Sequence, residues 1–231
     1  QKNGVAEITP AKVDKESVIF GIHPCDALGL SLIDKPFLQE PGDALYRERR
    51  EKTALIGLAC VTAGPSCFCS SMGTGPGDAS HVDVMLRPAE GGYIAEAVTD
   101  KGRALLVEAS VSKSQNKPLP EPKLTEVPAE GVVALMPGVF ENAYWGKVAD
   151  RCIHCNVCSY VCPTCYCFEV RDYKRSGKAE RVRSWESCQS PAFTRIAGGY
   201  DPRPSKAARL RQRFYHKLLY FPKEFGSIAC T

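Results

Sequence analysis

Cys152, Cys155, Cys158 and Cys162, with Pro163 next, space four thiols as C-x2-C-x2-C-x3-C-P. Two-residue gaps let three thiolates wrap three corners of one iron–sulfur cube, and the fourth cysteine, beside the proline, is turned away from them. In proteins with two such cubes that fourth cysteine ligates the other one. Structural zinc closes its tetrahedron with two separated pairs, so three ligands within seven residues suit zinc less well. A second cube needs a second run, and the late candidate is Cys230, one residue before Thr231. The spacing therefore predicts a run cut at this point, with Cys162 and Cys230 as two ligands of a set that a longer chain completes.

The 231 residues carry 12 cysteines in two groups: Cys25, Cys60, Cys67 and Cys69 early, none from 70 to 151, and eight from Cys152 onward. The length suffices for one or two domains with a core, which excludes a disulfide-stapled miniprotein. No stretch approaches 18 uncharged apolar residues, so no membrane-spanning helix is expected. QKNGVAEITPAKVDKESV has no basic-then-apolar secretion pattern, and its initial Gln reads as a start inside a longer protein. The expected setting is the cytoplasm, where close-set thiols serve as metal ligands or redox groups rather than disulfides.

An apolar run at 17–22 (SVIFGI) predicts a buried strand, Asp26 caps a helix through ALGLSLIDK, and 53–58 (TALIGL) predicts a second strand. The two runs lead to Cys25 and Cys60. Paired in parallel, they put both thiols at the carboxyl edge, where open α/β sheets place their sites. Strands are also expected at 81–86 (HVDVML) and 92–98 (GYIAEAV), and a helix over DKGRALLVEASV. Residues 112–130, SKSQNKPLPEPKLTEVPAE, read as an extended connection or a surface excursion. Beyond it, VFENAYWGKVADR (139–151) predicts a helix leading into the cysteine run. Ser205 starts another, SKAARLRQRFYHKLLY, with Leu210, Phe214 and Leu218 as its apolar stripe and Lys206, Arg209, Arg213 and Lys217 on a different face. The fold expected is α+β: a mixed α/β unit over 1–130, then a mainly helical, ferredoxin-like iron–sulfur domain over 131–231.

Cys25, Cys60, Cys67 and Cys69 are candidate ligands of a further iron–sulfur cluster; a zinc site or a set of buried reduced thiols is the alternative. The adjacent SSMGTGPG (70–77) offers a turn whose backbone N–H groups point at cluster sulfurs. As a phosphate loop it lacks the lysine and the following apolar helix. Cys165, Cys167 and Cys188 are three thiols, one short of a cubane, and stand as spare ligands, packing residues or parts of an unassigned site. His23 and His154, beside cysteines, read as hydrogen-bond donors or exposed side chains before ligands.

Residues 1–144 hold 14 Lys and Arg against 19 Asp and Glu, whereas 145–231 hold 16 against 7, so the halves carry −5 and +9. A basic half raises nucleic-acid binding, but no helix-turn-helix or RNA-binding signature accompanies it. A thiolate-ligated cubane is anionic and gains negative charge when reduced, so nearby Arg and Lys favour its reduced form or dock an acidic partner. A solvated basic face is the plain alternative.

FGIHPCD (20–26), IGLAC (56–60), CFC (67–69), CIHCNVCSYVCPTCYCFEVRD (152–172), SWESCQS (184–190) and AGGYDPRPSKAARLRQRFYHKLLY (197–220) follow one another in order. Together they resemble the iron–sulfur β subunit of soluble multimeric NiFe hydrogenases (sulfhydrogenases) and the related iron–sulfur subunit of anaerobic sulfite reductases. The long cysteine run is common to many ferredoxin-type proteins; its combination with the early C-F-C and SWESC segments is far more specific. The resemblance implies two 4Fe-4S clusters in the ferredoxin-like part, one on Cys152, Cys155 and Cys158 and the other on Cys162 and Cys230, in a chain that extends past both ends of this one. It also implies an electron relay between a catalytic subunit, of hydrogenase or reductase type, and a flavin subunit that uses a nicotinamide cofactor. Bond-making chemistry then resides on the partners. The rival reading is a zinc-binding structural or nucleic-acid interaction module, and a third is a subunit of another flavin-based or disulfide-reducing complex.

Overall fold

The computed structural model describes residues 9–113, 115–175 and 178–231. They form two compact units: the described residues up to Ser70 with Thr74–Thr125, and Ser71–Gly73 with Glu126–Thr231. Helices and strands occur in both.

In the first unit, β1 (Ser17–Ile22), α1 (Pro24–Leu38), α2 (Ala44–Glu51) and β2 (Thr53–Leu58) make a strand–helix–strand passage. Strands β3 (Val84–Ala89) and β4 (Gly92–Ala97) complete a sheet of order β1-β2-β3-β4. The β1–β2 and β2–β3 pairs are parallel and β3–β4 is antiparallel. α3 (Asp100–Glu108) follows, its N-terminus capped by Thr99, whose Oγ1 accepts from Gly102 N. The core packs Ala27 of α1 against Leu55 of β2, Ala59, Val82 and Met85 of β3.

The expected buried first strand is instead exposed, with Val18, Ile19 and Phe20 open to solvent. Its place in the order explains this: β1 is the outermost strand, and β2 and β3 take the protected positions. The α1 helix begins earlier than expected, with His23 as N-cap and Pro24 at its first position, so Asp26 lies in the first turn rather than capping. β3 runs three residues later than HVDVML, because the Asp83 carboxylate accepts from Leu55 N at 2.9 Å and holds that end outside the ladder. The proline-rich stretch packs against the first unit up to Thr125, with Leu119 N bonded to Pro88 O at 2.8 Å and Thr125 N to Cys67 O at 3.1 Å.

The second unit contains α4 (Ala129–Leu135), α5 (Tyr144–Ala149), α6 (Val157–Tyr160), the antiparallel strands β5 (Phe168–Arg175) and β6 (Lys178–Trp185), α7 (Pro191–Thr194), α8 (Lys206–Tyr215) and α9 (Phe221–Phe225). The helix expected over 139–151 is confined to α5, since 136–138 forms a 3-10 turn and Trp145 Nε1 bonds back to Val139 O at 2.8 Å. The β5–β6 pair is an addition to the helices of this unit that the sequence reading did not expect. All of β6 and most of the described side chains of β5 are solvent-exposed, and neither strand shows the apolar alternation that marks a half-buried strand. Ser205 caps α8 as expected, its Oγ accepting from Ala208 N.

Between α8 and α9 lies one wide π turn, His216–Tyr220, in which Phe221 N bonds to His216 O. Pro222 supplies the reason: its ring excludes a regular turn onto the carbonyl four residues back, and a wider turn relieves this. Met136, Trp145 and Tyr215 form the buried centre of this unit.

Candidate metal centre

The early thiols gather at the sheet edge. Parallel pairing of β1 and β2 delivers Cys25, in the first turn of α1, and Cys60, just past β2, to the carboxyl edge, as the strand reading expects. Cys60 N bonds to Pro76 O at 2.8 Å, and its Sγ lies 3.4 Å from His23 Nδ1, which also approaches Leu58 O. Cys67 N bonds to Gly64 O, and Thr74 N to Cys69 O, folding the C-F-C segment into turns.

The four thiols are linked electrostatically: Cys25 with Cys60 and Cys69, Cys60 with Cys67 and Cys69, and Cys67 with Cys69. Burial, followed by the charges of Asp26, Cys69 and Cys60, pushes the Cys25 thiol up to about 11. Burial first and then Cys69 and Cys67 raise Cys60, and burial with Cys67 raises Cys69. Thiols that raise one another are a like-charge set, and a bound cation or cluster relieves their repulsion when they ionise. The backbone N–H of Ser70 points at the Cys69 sulfur and that of Asp26 at Cys25, which is the turn contribution expected of SSMGTGPG together with one from a helix start.

In the second unit the run from Cys152 wraps an open loop. His154 and Asn156 both take left-handed backbone, φ 58° and 62°, curling the chain around Cys155. Cys155 and Cys158 are exposed and Cys152 is half-buried. His154 Nε2 and Asn156 Oδ1 are buried without a hydrogen-bond partner. Lys206 Nζ donates to Cys152 O at 2.7 Å. Orphaned polar atoms beside two exposed thiols and a half-buried one fit an iron–sulfur ligand loop.

The remaining cysteines form two close pairs. Cys162 and Cys165 are in sulfur–sulfur hydrogen-bond contact; donation from Cys165, helped by Lys217 and Thr164, holds Cys162 far below the ordinary thiol range, and Cys165 is raised as the donor. Arg213 Nη1 donates to Cys165 Sγ at 2.8 Å. Cys167 and Cys188 pair in the same way, Cys188 being drawn down to about 6 by Cys167, then Gln189 and Arg213, while Cys167 is raised. The hairpin brings this second pair together: Phe168 faces Trp185, and Glu186 N bonds to Cys167 O at 3.0 Å. Ser159 joins the pair to the run, since its Oγ accepts from Ser187 and lies near Cys158. Cys230 follows Ala229, whose carbonyl accepts from Thr164 Oγ1 at 2.7 Å, so Cys162 and Cys230 share one anchor.

Most of the predicted basic face turns inward: Arg209 and Lys217 are buried and Arg213 half-buried, while Lys206 stays exposed. Arg209 is 1% exposed and forms an ion pair with Asp201 while donating to Ser190 O and Thr194 Oγ1. Lys217 is 8% exposed, whereas Phe214 of the expected apolar stripe is exposed. Helical spacing places these cations on one face correctly; which face is buried follows from the aromatic packing of Tyr215 on Phe140 and Trp145, and no local signal announces it. The same holds for Ser159, Thr164 and Gln189, polar residues whose role appears only when distant segments meet.

Among the described residues, no three His, Cys, Asp or Glu side chains converge tightly enough to hold a single metal ion. A cubane spreads its thiolates over separate irons, so the ligands of one cluster stand further apart than those of one zinc. Two 4Fe-4S dicluster domain models match the chain, over residues 151–231 and 121–165, which makes it a 4Fe-4S dicluster protein. Sulfhydrogenase 2 subunit beta of Pyrococcus furiosus is 31% identical over 244 residues, covering 100% of this chain and 72% of that protein. The chain belongs to this family of hydrogenase β subunits and is an iron–sulfur electron-transfer subunit. No solved structure matches it. Among the described residues no helix is long and apolar enough to cross a membrane.

Proposed function

We propose that this chain relays electrons in the cytoplasm between a hydrogenase-type catalytic subunit and a flavin subunit that exchanges electrons with a nicotinamide cofactor. The thiol distribution supports this reading: three thiols on one loop at Cys152, Cys155 and Cys158, a second anchor shared by Cys162 and Cys230, and a third set at Cys25, Cys60, Cys67 and Cys69. Each set would hold one 4Fe-4S cluster. When bound, the clusters supply one-electron carriers; the chain's own residues supply thiolates, N–H donors and charge. Cys165, Cys167 and Cys188 lie outside the three sets and pack beside the second.

Anaerobic quantification of iron, sulfide and zinc on the full-length protein, with EPR after reduction, tests the proposal. About twelve irons per chain is the expected result, four for each cubane. About eight would remove the early cluster and keep the relay. Stoichiometric zinc in a colourless protein would favour the structural module instead and end the electron-transfer reading.

A further inference from the structure

Two buried or half-buried cations in the second unit have no carboxylate. Lys217, in the π turn, places Nζ where it donates to Ala229 O at 2.9 Å and to Thr164 Oγ1. Arg213, one helical turn earlier, donates to the sulfurs of Cys165 and Cys162. Among the described residues no Asp or Glu lies within ion-pair distance of either. Arg209, buried on the same helix, provides the contrast, because Asp201 neutralises it. A lysine is almost never fully buried unless it is paired, since its desolvation is costly. Among the described residues, the groups near Lys217 that can carry a compensating negative charge are thiols. Cys162 lies within its electrostatic reach, and Cys230 follows the carbonyl it binds. Beside them is an apolar pocket of about 170 Å³, lined by Met72, Val127, Val132, Phe214 and Leu218 together with Lys217 and Cys230. Apolar walls keep water from screening a charge at this point.

We propose that Lys217 sets the reduction potential of the centre held by Cys162 and Cys230, its buried charge favouring the reduced form, so that this centre is reduced before the one at Cys152, Cys155 and Cys158. The inference rests on the cluster reading above. The residue acts by position and charge; one electron arrives from a neighbouring centre, and no bond forms or breaks. At the other centre the cations beside the run, Lys206 on the Cys152 carbonyl and Arg151 next in sequence, are exposed, where solvent and salt screen their charge. The π turn has a part in this, because it is the element that turns residue 217 inward.

EPR-monitored redox titration of the full-length, iron-loaded protein decides the matter, comparing wild type with Lys217→Met and Lys217→Arg. Lys217→Met should lower the reduced-to-oxidised ratio of one cluster at least tenfold at fixed potential, about 59 mV for one electron. The other clusters and Lys217→Arg should stay near wild type. Where Lys217→Met fails to load one cluster and Lys217→Arg loads it, the charge role also stands. Unmoved midpoints, equal shifts in every cluster, or the same iron loss in both variants would overturn it. Absence of iron from wild type would instead remove the cluster reading itself.

Discussion

Gly102→Ala tests how the first unit is held together. Gly102 sits in the first turn of α3, buried against the start of β3, and an added Cβ would lie 1.8 Å from Asp83 O and 2.6 Å from Asp83 C. Ordinary contact begins near 3.4 Å, so the helix start must retreat by about 1.6 Å. The obstacle is backbone and cannot rotate away. Asp83 O accepts from Val98 N at 2.8 Å and Thr99 N at 3.3 Å, and its carboxylate accepts from Thr99 Oγ1 at 2.6 Å. A retreat of that size breaks these three bonds, at about 1 kcal/mol each. Alanine's better helix propensity returns about 1 kcal/mol. The net loss is about 2 kcal/mol, and with each kcal/mol worth about 4–8 °C in a small domain, Tm falls by about 10 °C. Gly146→Ala in α5 is the control: its Cβ meets nothing within 4 Å, so the change should be neutral or slightly stabilising. Thermal unfolding of the anaerobic full chain, followed by circular dichroism, measures both. A Gly102→Ala protein as stable as wild type would refute the claimed clash.

Cys155→Ser should cost about four irons per chain and leave the thermal unfolding of the first unit unchanged; full iron in this variant would contradict the assignment of the run. Cys67→Ser should likewise remove about four irons, and unchanged iron with unchanged EPR would take away the early cluster. The metal-free chain should lose stability as pH rises from about 9 toward 11, because burial and neighbouring charges raise the Cys25 thiol in the folded state and the unfolded thiol ionises first. The loaded protein, with its thiolates already ionised by ligation, should lack that loss. Chemical unfolding midpoints measured at pH 8, 9, 10 and 11 separate the two.

Much of this fold was legible locally. The runs at 17–22 and 53–58 form parallel strands over those same residues, and each leads to a cysteine at the carboxyl edge. Ser205 caps its helix as expected, because a hydroxyl before a helical run satisfies an otherwise unbonded N–H. Other elements had no such signal. The largely exposed β5–β6 hairpin lacks the polar–apolar alternation that marks a half-buried strand, and α5 is shortened by the 3-10 turn and loop before it. β1 reads as buried because its residues are apolar, yet exposure depends on whether another strand lies beyond it, which is a property of sheet order.

The candidate centres divide along the same line. Spacing alone selects Cys152, Cys155 and Cys158, because three ligands within one short loop are constrained by chain geometry before any tertiary contact forms. Folding alone brings Cys25 and Cys60, 35 residues apart in sequence, to one edge, and Cys167 to Cys188 across a hairpin base. The inward turn of Lys217 is likewise tertiary. Helical periodicity assigns it a face, but whether that face meets water or Cys162 depends on how Tyr215, Trp145 and Pro222 pack the end of the helix, since burial energies belong to contacts between segments and are absent from any one of them.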